Sequence, residues 1–509
     1  MKILKLLTHR VTLVVLLLAL QLVLLFGSVW YFKDDFVYFY IVYIIVSIMA
    51  ALHIINGRSN PAYKIAWLIP VMVLPIFGTI IYLIFGRLRI RKKYQEKAKL
   101  VLQKERNAIA QTMPNLLPED QNPDAIFQST YIKNNGGMPM FQNTESKYLP
   151  LGEDVFASML EELEKAEKYI FMEYFIIEEG KMWDTLLEVL ARKAKEGIDV
   201  RLMYDDFGCL FTLPDGYYKK IEKMGIKCSV FNPFVPVLSS IFNNRDHRKI
   251  TSIDGKVAFT GGINLADEYI NEVERFGHWK DTGIVMRGDA AWGFTLMFLT
   301  LWDFQRTEER DYADYYPSFK ADEKIESVGY YQPYTDMPFD NEALGENIYL
   351  NLINRAKDYV YITTPYLIID NLLMEALCTA AKGGIDVRLQ TPKIGDKWYA
   401  HALTRSNYEQ LLEAGVRIFE YTPGFIHSKT FVVDDQYATV GTVNMDYRSL
   451  FLHVECGVWM YQTTAVAEVY QDFVEVEKIC DEITLEKARD INWLTHLGRA
   501  VLNVFAPLM

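Results

Sequence analysis

Two stretches of this chain carry residue types whose spacing suits chemistry. The first is His247-Arg248-Lys249, four residues, Asp254, six residues, then Gly261-Gly262-Ile263-Asn264. The second is His427-Ser428-Lys429, then Asp434 and Gly441-Thr442-Val443-Asn444 at the same spacing. His247 and His427 are 180 residues apart, as are Asn264 and Asn444. In a strand, residues i and i+2 face the same way, so each stretch presents an imidazole and an ammonium on one face. Asp254-Gly255 is a strong two-residue hairpin signal, and the chain then runs back through Lys256 to Thr260. The glycines allow close approach of a ligand, and the asparagines add a short amide donor. Face to face, the two stretches make a site with two His, two Lys and two Asn. Two ammonium groups and two amides suit the non-bridging oxygens of a phosphate. One imidazole can attack phosphorus while the other protonates the leaving oxygen. There is no HExxH, no dense carboxylate cluster, no P-loop and no Gly-x-Gly-x-x-Gly after a strand, so neither a metal nor a nucleotide cofactor is expected. Duplication alone could copy an inert hairpin. It gives no reason for His and Lys to share a strand face in both copies.

The elements that position these residues are also duplicated. Gly197-Ile198-Asp199-Val200-Arg201-Leu202 recurs letter for letter at 384–389, and Glu167-Lys168-Tyr169-Ile170-Phe171 is echoed by Lys357-Asp358-Tyr359-Val360-Tyr361. Each pair reads as apolar strand, amphipathic helix, apolar strand. These are βαβ units, which imply an α/β fold with a parallel or mixed sheet covered by helices. Two similar halves offset by 180 to 190 residues predict a pseudo-twofold unit within one chain. The five cysteines, Cys209, Cys228, Cys378, Cys456 and Cys480, form no CxxC pair, and reduced thiols account for them.

The chain has 509 residues, 50% of them hydrophobic, and a formal net charge of −12. That hydrophobicity excludes a disordered chain, and the acidic balance argues against a nucleic-acid binder. The beginning of the chain is different in kind. Val11 to Phe32, Phe36 to Ile55 and Ile65 to Phe85 are apolar stretches of membrane-spanning length. The third is interrupted by Pro70, Pro75 and Gly78. Lys2, Lys5 and Arg10 precede the first, Arg58 and Lys64 separate the second from the third, and a denser basic run from Arg87 to Lys99 follows. Cytoplasmic loops collect Lys and Arg, so three full spans would put one basic cluster on the wrong side. If the third stretch only dips in or lies at the interface, all three clusters can be cytoplasmic. Either way the strongest cluster places the rest of the chain in the cytoplasm. The expected organisation is an anchoring region over 1–90, a charged helix and linker over 91–145, repeats over 146–325 and 326–485, and an amphipathic helix over 486–509.

The doubled HxKx4Dx6GxxN pattern resembles the phospholipase D superfamily. The early segment is similar to the amino-terminal region of bacterial cardiolipin synthases, through Asn60-Pro61, Ala66-Trp67-Leu68, Pro75, Gly78, Tyr82 and Phe85-Gly86-Arg87. So is Asn444-Met445-Asp446-Tyr447-Arg448-Ser449. That resemblance implies two phospholipase D-like βαβ repeats forming one catalytic unit behind transmembrane helices in a bacterial cell membrane, multi-pass, with the repeats facing the cytoplasm. It implies a ping-pong transfer between two phosphatidylglycerol molecules that yields cardiolipin and glycerol. His247 forms a phosphatidyl-histidine and His427 acts as acid and then base, with the reverse order also open. Lys249, Lys429, Asn264 and Asn444 hold phosphate. Asp254 and Asp434 belong to the motif, and on the hairpin they fit fixing the turn and the Lys better than touching substrate. Glu455 supports His247 and Asp281 supports His427, in a crossed arrangement. The partners implied are phosphatidylglycerol and membrane lipids, with no nucleic acid. Where the family often has Ser, this chain has Gly262 and Thr442. At Gly262 any phosphate contact must then come from backbone.

Other features are less specific. Glu173, in an otherwise apolar strand, could face the site or be a satisfied buried carboxylate. His278 and His453 read as packing or supporting groups near it. Pro233 to Leu238, and Trp493, Leu494, Leu497, Val501, Val504, Phe505 and Leu508 at the carboxyl end, could guide lipid or pack in the core. The competing readings are a phospholipase D-type hydrolase, a membrane-anchored nuclease and a non-enzymatic scaffold.

Overall fold

The computed structural model describes residues 36–57, 59–73, 78–79, 81–86, 92–113, 122–233, 244–306, 310–319, 325, 327–338 and 342–508, with isolated positions 19, 23, 27 and 30. The chain forms two compact units. One comprises 1–91, 232–244 and 504–509, and the other 92–231 and 245–503. The stretch from Val11 to Phe32, the basic residues 87–91 and the apolar loop after Pro233 lie essentially outside the described residues.

In the first unit, helix α1 covers Phe36–Ile55, the second apolar stretch. Its side chains are described from residue 44 onward. Helix α2 (Pro61–Val73) starts where Asn60 accepts a hydrogen bond from the Ala62 amide (2.9 Å) and Pro61 takes the first helical position. The chain then doubles back. Gly78 lies so close to α2 that a Cβ would sit 2.1 Å from the Pro70 carbonyl oxygen. The Tyr82 ring packs edge-on against Trp67 (5.5 Å), and the Tyr63 hydroxyl donates to the Gly86 carbonyl (3.4 Å). Residues 70, 67 and 63 thus meet 78, 82 and 86 in reverse order, which is an antiparallel hairpin. Ile54, Trp67, Val71 and Tyr82 form its core, joined by Leu508. The third apolar stretch is therefore two short arms and not one rod. The 13 residues of α2 reach roughly 20 Å, short of the roughly 30 Å of a bilayer's hydrocarbon core. Counted over the described residues, no helix is long and apolar enough to cross a membrane.

The second unit begins with helix α3 (Lys92–Thr112). Its first sheet contains β1 (Thr144–Leu149), β2 (Tyr169–Tyr174), β3 (Asp199–Asp205), β4 (Lys227–Phe231), β5 (Ile250–Ile253), β6 (Val257–Gly261) and β8 (Gly283–Gly288). The short strand β7 (His278–Lys280) lies outside this sheet. Its order is β1-β8-β6-β5-β2-β3-β4. The second sheet contains β9 (Tyr330–Asp336), β10 (Tyr359–Thr363), β12 (Asp386–Pro392), β13 (Arg417–Tyr421), β15 (Thr430–Val433), β16 (Tyr437–Gly441), β18 (Glu455–Tyr461) and β19 (Cys480–Ile483). The short strands β11 (Leu367–Ile368), β14 (Gly424–Ile426) and β17 (Met445–Asp446) pair elsewhere. Its order is β19-β13-β12-β10-β15-β16-β18-β9, the same topology with one extra edge strand. In each sheet three strands run parallel, β2-β3-β4 and β10-β12-β13, and the HxK hairpins, β5-β6 and β15-β16, join them antiparallel. The mixed α/β fold with two repeats follows from the sequence duplication.

The helices bury the apolar faces their sequences supply. Helix α4 (Lys181–Lys195) joins β2 to β3 and buries Trp183, Leu186 and Leu190. Helix α5 (Ala290–Gln305) is buried nearly all round, as its uniformly apolar sequence requires. Helix α6 (Asn371–Lys382) joins β10 to β12, and α7 (Thr464–Glu477) is the counterpart of α5. A core shared by both repeats includes Phe294, Phe298 and Trp302 of α5, Val432 and Ala438 of the second hairpin, and Phe473 of α7. At the carboxyl end, α8 (Trp493–Phe505) leaves Trp493, Leu494, Leu497 and Val501 exposed.

Candidate active site

Each HxK segment is docked by backbone onto the opposite repeat. The His247 amide donates to the Val454 carbonyl (2.9 Å) and the His427 amide to the Lys280 carbonyl (2.7 Å). Asp246 bridges Val454, and β14, leading into His427, pairs in parallel with β7. The segments preceding Glu455 and Asp281 are thus the ones that receive the histidines.

The side chains follow the same exchange. His247 Nδ1 lies 2.9 and 3.0 Å from the two Glu455 oxygens, and His427 Nδ1 lies 2.6 Å from Asp281 Oδ2. A carboxylate on Nδ1 fixes ring orientation and leaves Nε2 for chemistry. Lys249 Nζ donates to the His247 carbonyl (2.6 Å), and Lys429 Nζ to the His427 carbonyl. Both histidines are buried, with 9% and 8% of their side-chain surface exposed, so only an edge of each ring is reachable.

Burial and mutual repulsion set the charges. Desolvation, then Lys249 and Lys429, hold His247 well below the ordinary histidine value. Desolvation, then Lys429, bring His427 down to about 4, while Asp281 pulls it upward. Desolvation lowers Lys249 to about 8 and Lys429 to about 7. Glu455 is pushed up to about 7 by burial, against the pull of Lys249. A cluster of ammonium groups held so close to deprotonation is a site prepared for an anion.

The other predicted residues are placed as follows. Asn264 Oδ1 accepts from the Ile176 amide (3.0 Å) and its Nδ2 donates to Tyr269 (2.7 Å), whose ring stands 5.9 Å from His427. Asn444 is buried, and its Oδ1 has no partner among the described residues. Asp254 accepts from the amides of Glu167, Lys168 and Tyr169, each at 2.7 Å, and Asp434 from those of Lys357, Asp358 and Tyr359 at 2.7 to 2.9 Å. Both aspartates have φ of +53° at the turn. They lie seven residues beyond their histidines, roughly 20 Å along an extended strand. They pin the far ends of the hairpins through these amide bonds, which fits fixing the turn, while the two Lys side chains bond elsewhere, to the histidine carbonyls. The Gly262 amide donates to the Thr282 carbonyl (3.0 Å), so the backbone phosphate contact expected there is replaced by a structural bond. A Cβ at Gly262 would lie 2.1 Å from Asp281 Oδ1, which explains a glycine at this position. Glu173 is a satisfied buried carboxylate. It binds Arg248 through Nε (2.5 Å) and Nη2 (3.0 Å), on the face opposite His247.

Several supporting groups carry little sequence signal. Thr442 donates its hydroxyl to Glu455 Oε2, and Ser449 donates to Glu455 Oε1 (2.6 Å). Ser449 stands in the Asn444–Ser449 motif, which was the available clue. Phe175 is edge-on to His247 at 5.0 Å, and Trp279 and Phe425 flank His427 at 5.5 and 5.7 Å. The His453 ring stands 5.6 Å from His247. His247, His453 and Glu455 offer ligand atoms within 4.8 Å of one another. Glu455 already accepts from His247, Thr442 and Ser449, and ammonium groups line the site, so this donor set fits a cation poorly.

Two duplicated sheets with reciprocally docked His-x-Lys segments, each leading into a sheet strand, define a phospholipase D-type fold. Residues 159–275 and 349–476 match the family described as cardiolipin synthase, PLD-like domain, and residues 45–87 match phospholipase D-nuclease N-terminal. The chain is 34% identical over 468 residues to a cardiolipin synthase of Geobacillus kaustophilus, covering 91% of this chain and 92% of that one. It is 33% identical over 460 residues to cardiolipin synthase 2 of Bacillus anthracis, covering 89% and 88%. The crystal structure of a phosphatidylserine synthase from Haemophilus influenzae Rd KW20 shares the fold, with a TM-score of 0.56 at 17% identity over 75% of this chain and 98% of that one. The chain belongs to the bacterial cardiolipin synthase family of the phospholipase D superfamily. It is a membrane-associated phosphatidyltransferase with phospholipid substrates.

Proposed function

We propose that the chain transfers a phosphatidyl group from one phosphatidylglycerol to another, with His247 as the nucleophile. His247 Nε2 attacks phosphorus as the bond to the headgroup oxygen breaks, and His427 gives that oxygen its proton, releasing glycerol. The terminal hydroxyl of a second phosphatidylglycerol then loses its proton to His427 as its oxygen attacks phosphorus. The nitrogen–phosphorus bond breaks, and cardiolipin leaves. One phosphodiester replaces another, so no nucleotide is consumed. Lys249, Lys429, Asn264 and Asn444 neutralise the phosphate oxygens, while Glu455 and Asp281 hold the rings. The order of roles rests on the two carboxylates. Asp281 partly offsets the burial that lowers His427, and His247 has no such upward pull, so His427 is the ring that an anionic phosphate brings to the protonated state.

The observation that carries this reading is the crossed pair of contacts, His247 to Glu455 and His427 to Asp281, which makes one site out of two repeats. Around it, residues 1–90 anchor the chain by two spans and a re-entrant hairpin. That topology lets the basic clusters before, between and after the apolar stretches lie on one side, with the catalytic repeats in the cytoplasm. Residues 146–325 and 326–485 are the repeats, 91–145 link them to the anchor, and α8 lies along the membrane surface with its apolar residues inward. The test is to incubate purified protein with labelled phosphatidylglycerol vesicles without nucleotide or metal. Cardiolipin with equimolar glycerol is expected. Phosphatidic acid alone would establish a hydrolase instead, and no turnover would contradict both.

A further inference from the structure

The two most exposed large apolar side chains among the described residues are Phe211 (81%) and Trp398 (75%). They stand at equivalent places, Phe211 in the loop after one strand and Trp398 as the first residue of a helix, Trp398–Ser406, that ends the loop after the other. Phe211 follows β3 and Trp398 follows β12, strands with the same place in the two sheets. The loops leave their sheets in the same way. The Asp206 amide donates to the Phe231 carbonyl at the end of β4, and the Lys393 amide to the Tyr421 carbonyl at the end of β13. Each loop carries a second exposed apolar residue, Phe207 at 48% and Ile394 at 43%.

Both loops border the histidines. The Asp205 carboxylate accepts from the amides of Phe207 (2.8 Å) and Gly208 (2.9 Å), and also from the amide of Asp246 (3.1 Å), the residue before His247. Gly208 lies against the Phe175 carbonyl, and the Phe175 ring touches His247. On the other side, Asp396 accepts from the Tyr366 hydroxyl (2.7 Å), and Tyr366 packs on the core that contains Trp279 and Phe425, the neighbours of His427. One apolar segment therefore stands on the side of each histidine.

We propose that these loops are a pair of prongs that enter the lipid surface and hold the mouth of the cleft against it, so that a phospholipid slides to the histidines without leaving the bilayer. The occupant is the headgroup–acyl boundary of a membrane. Among the described residues the exposed apolar groups here are single side chains set among Asp206, Lys393, Asp396 and Lys397, not the broad apolar patch that a protein partner needs. Trp398 beside Lys397 has the usual composition of a membrane-interface anchor, and Phe211 supplies an apolar tip at the equivalent place. The proposal rests on the lipid-transfer reading above.

Full-length protein is reconstituted in phosphatidylglycerol–phosphatidylcholine vesicles, and the same protein in micelles receives dihexanoyl phosphatidylglycerol as dispersed monomer. The combined variant Phe211→Ser with Trp398→Ser lowers the ratio of vesicle to monomer turnover by roughly a hundredfold, about tenfold for each aromatic withdrawn from lipid. The combination Phe211→Leu with Trp398→Phe restores the ratio. An unchanged ratio, or equal loss in both arms, overturns the proposal. So does a change of oligomeric state with the ratio intact, which would make a second copy of the chain the partner. A parent enzyme that makes no cardiolipin in either arm sinks the transfer reading alone. The surface is then read from a bimane label on Phe211→Cys, four of the five native cysteines being buried. Quenching by doxyl lipids in the bilayer supports the prongs, and its absence overturns them.

Discussion

Replacing Lys429 by Met should make the empty protein more stable and inactive at once. Burial moves this ammonium from the ordinary value of 10.5 to about 7. A tenfold change in a protonation constant is worth about 1.4 kcal/mol, so keeping Lys429 protonated in the fold costs roughly 5 kcal/mol. The folded value is the lower one, so the unfolded chain holds the extra proton between about pH 7 and 10.5. The penalty is complete below about 7 and fades as pH rises through 10.5. The assay is thermal unfolding of the parent and Lys429→Met proteins in the same detergent, at pH 7 and at pH 10. The variant should melt several degrees higher at pH 7, with most of the gain gone at pH 10. Its turnover of lipid should fall by at least roughly a thousandfold, because a charge contact to the phosphoryl group is lost in a site closed to water. A variant that melts lower than the parent at pH 7, or one whose gain is the same at both pH values, would refute the view that this lysine is held charged for the substrate at the expense of the fold.

Glu455→Gln keeps the packing around His247 but weakens the hold on Nδ1. It should reduce kcat by about a hundredfold or more with little change in KM, measured by steady-state turnover. Gly262→Ala pushes a methyl against Asp281. It should impair the step that uses His427, seen as slowed glycerol release in a rapid-quench experiment, and normal release would contradict the packing argument. Lys429 and Lys249 lose protons near 7 and 8 in the free enzyme, so kcat/KM for lipid should fall above that range, and Lys429→Arg should move the fall to higher pH. Asp434→Ala removes the acceptor of three amides. It should destabilise the fold by about 1–3 kcal/mol without altering the pH profile of the enzyme that remains folded.

The duplicated α/β architecture was legible because the repeat preserves letters as well as pattern. Gly197–Leu202 and its copy at 384–389 open equivalent parallel strands, and equal spacing of the HxK segments put them on equivalent hairpins. Spacing along one strand says nothing about which group from the other half approaches it. The pairing of Glu455 with His247 was therefore accessible through resemblance and not through periodicity, and the bonds of Thr442 and Ser449 to Glu455 had no signal beyond the place of Ser449 in the Asn444–Ser449 motif. Asp254 shows the same limit from the other side. Its place in the motif does not name its partners: from beyond a four-residue strand its carboxylate meets the amides of Glu167, Lys168 and Tyr169, while the histidine lies ahead of that strand. Hydropathy left the third apolar stretch open between a full span and a segment that only dips in. It sums apolar side chains without seeing that Gly78 lets the chain fold back onto Pro70. Arg248 between His247 and Lys249 looked incidental because a strand sends alternate residues to opposite faces, and its partner Glu173 is distant in sequence.

The central claim is that two repeats build one site in which a histidine carries the phosphatidyl group. It is tested most directly by quenching the full-length enzyme in alkali during turnover of phosphorus-labelled phosphatidylglycerol and mapping the label by mass spectrometry. The predicted result is an acid-labile, alkali-stable label on the peptide containing His247, absent from His247→Asn. Label on a serine or carboxylate, or no protein-bound label while cardiolipin forms, would contradict it.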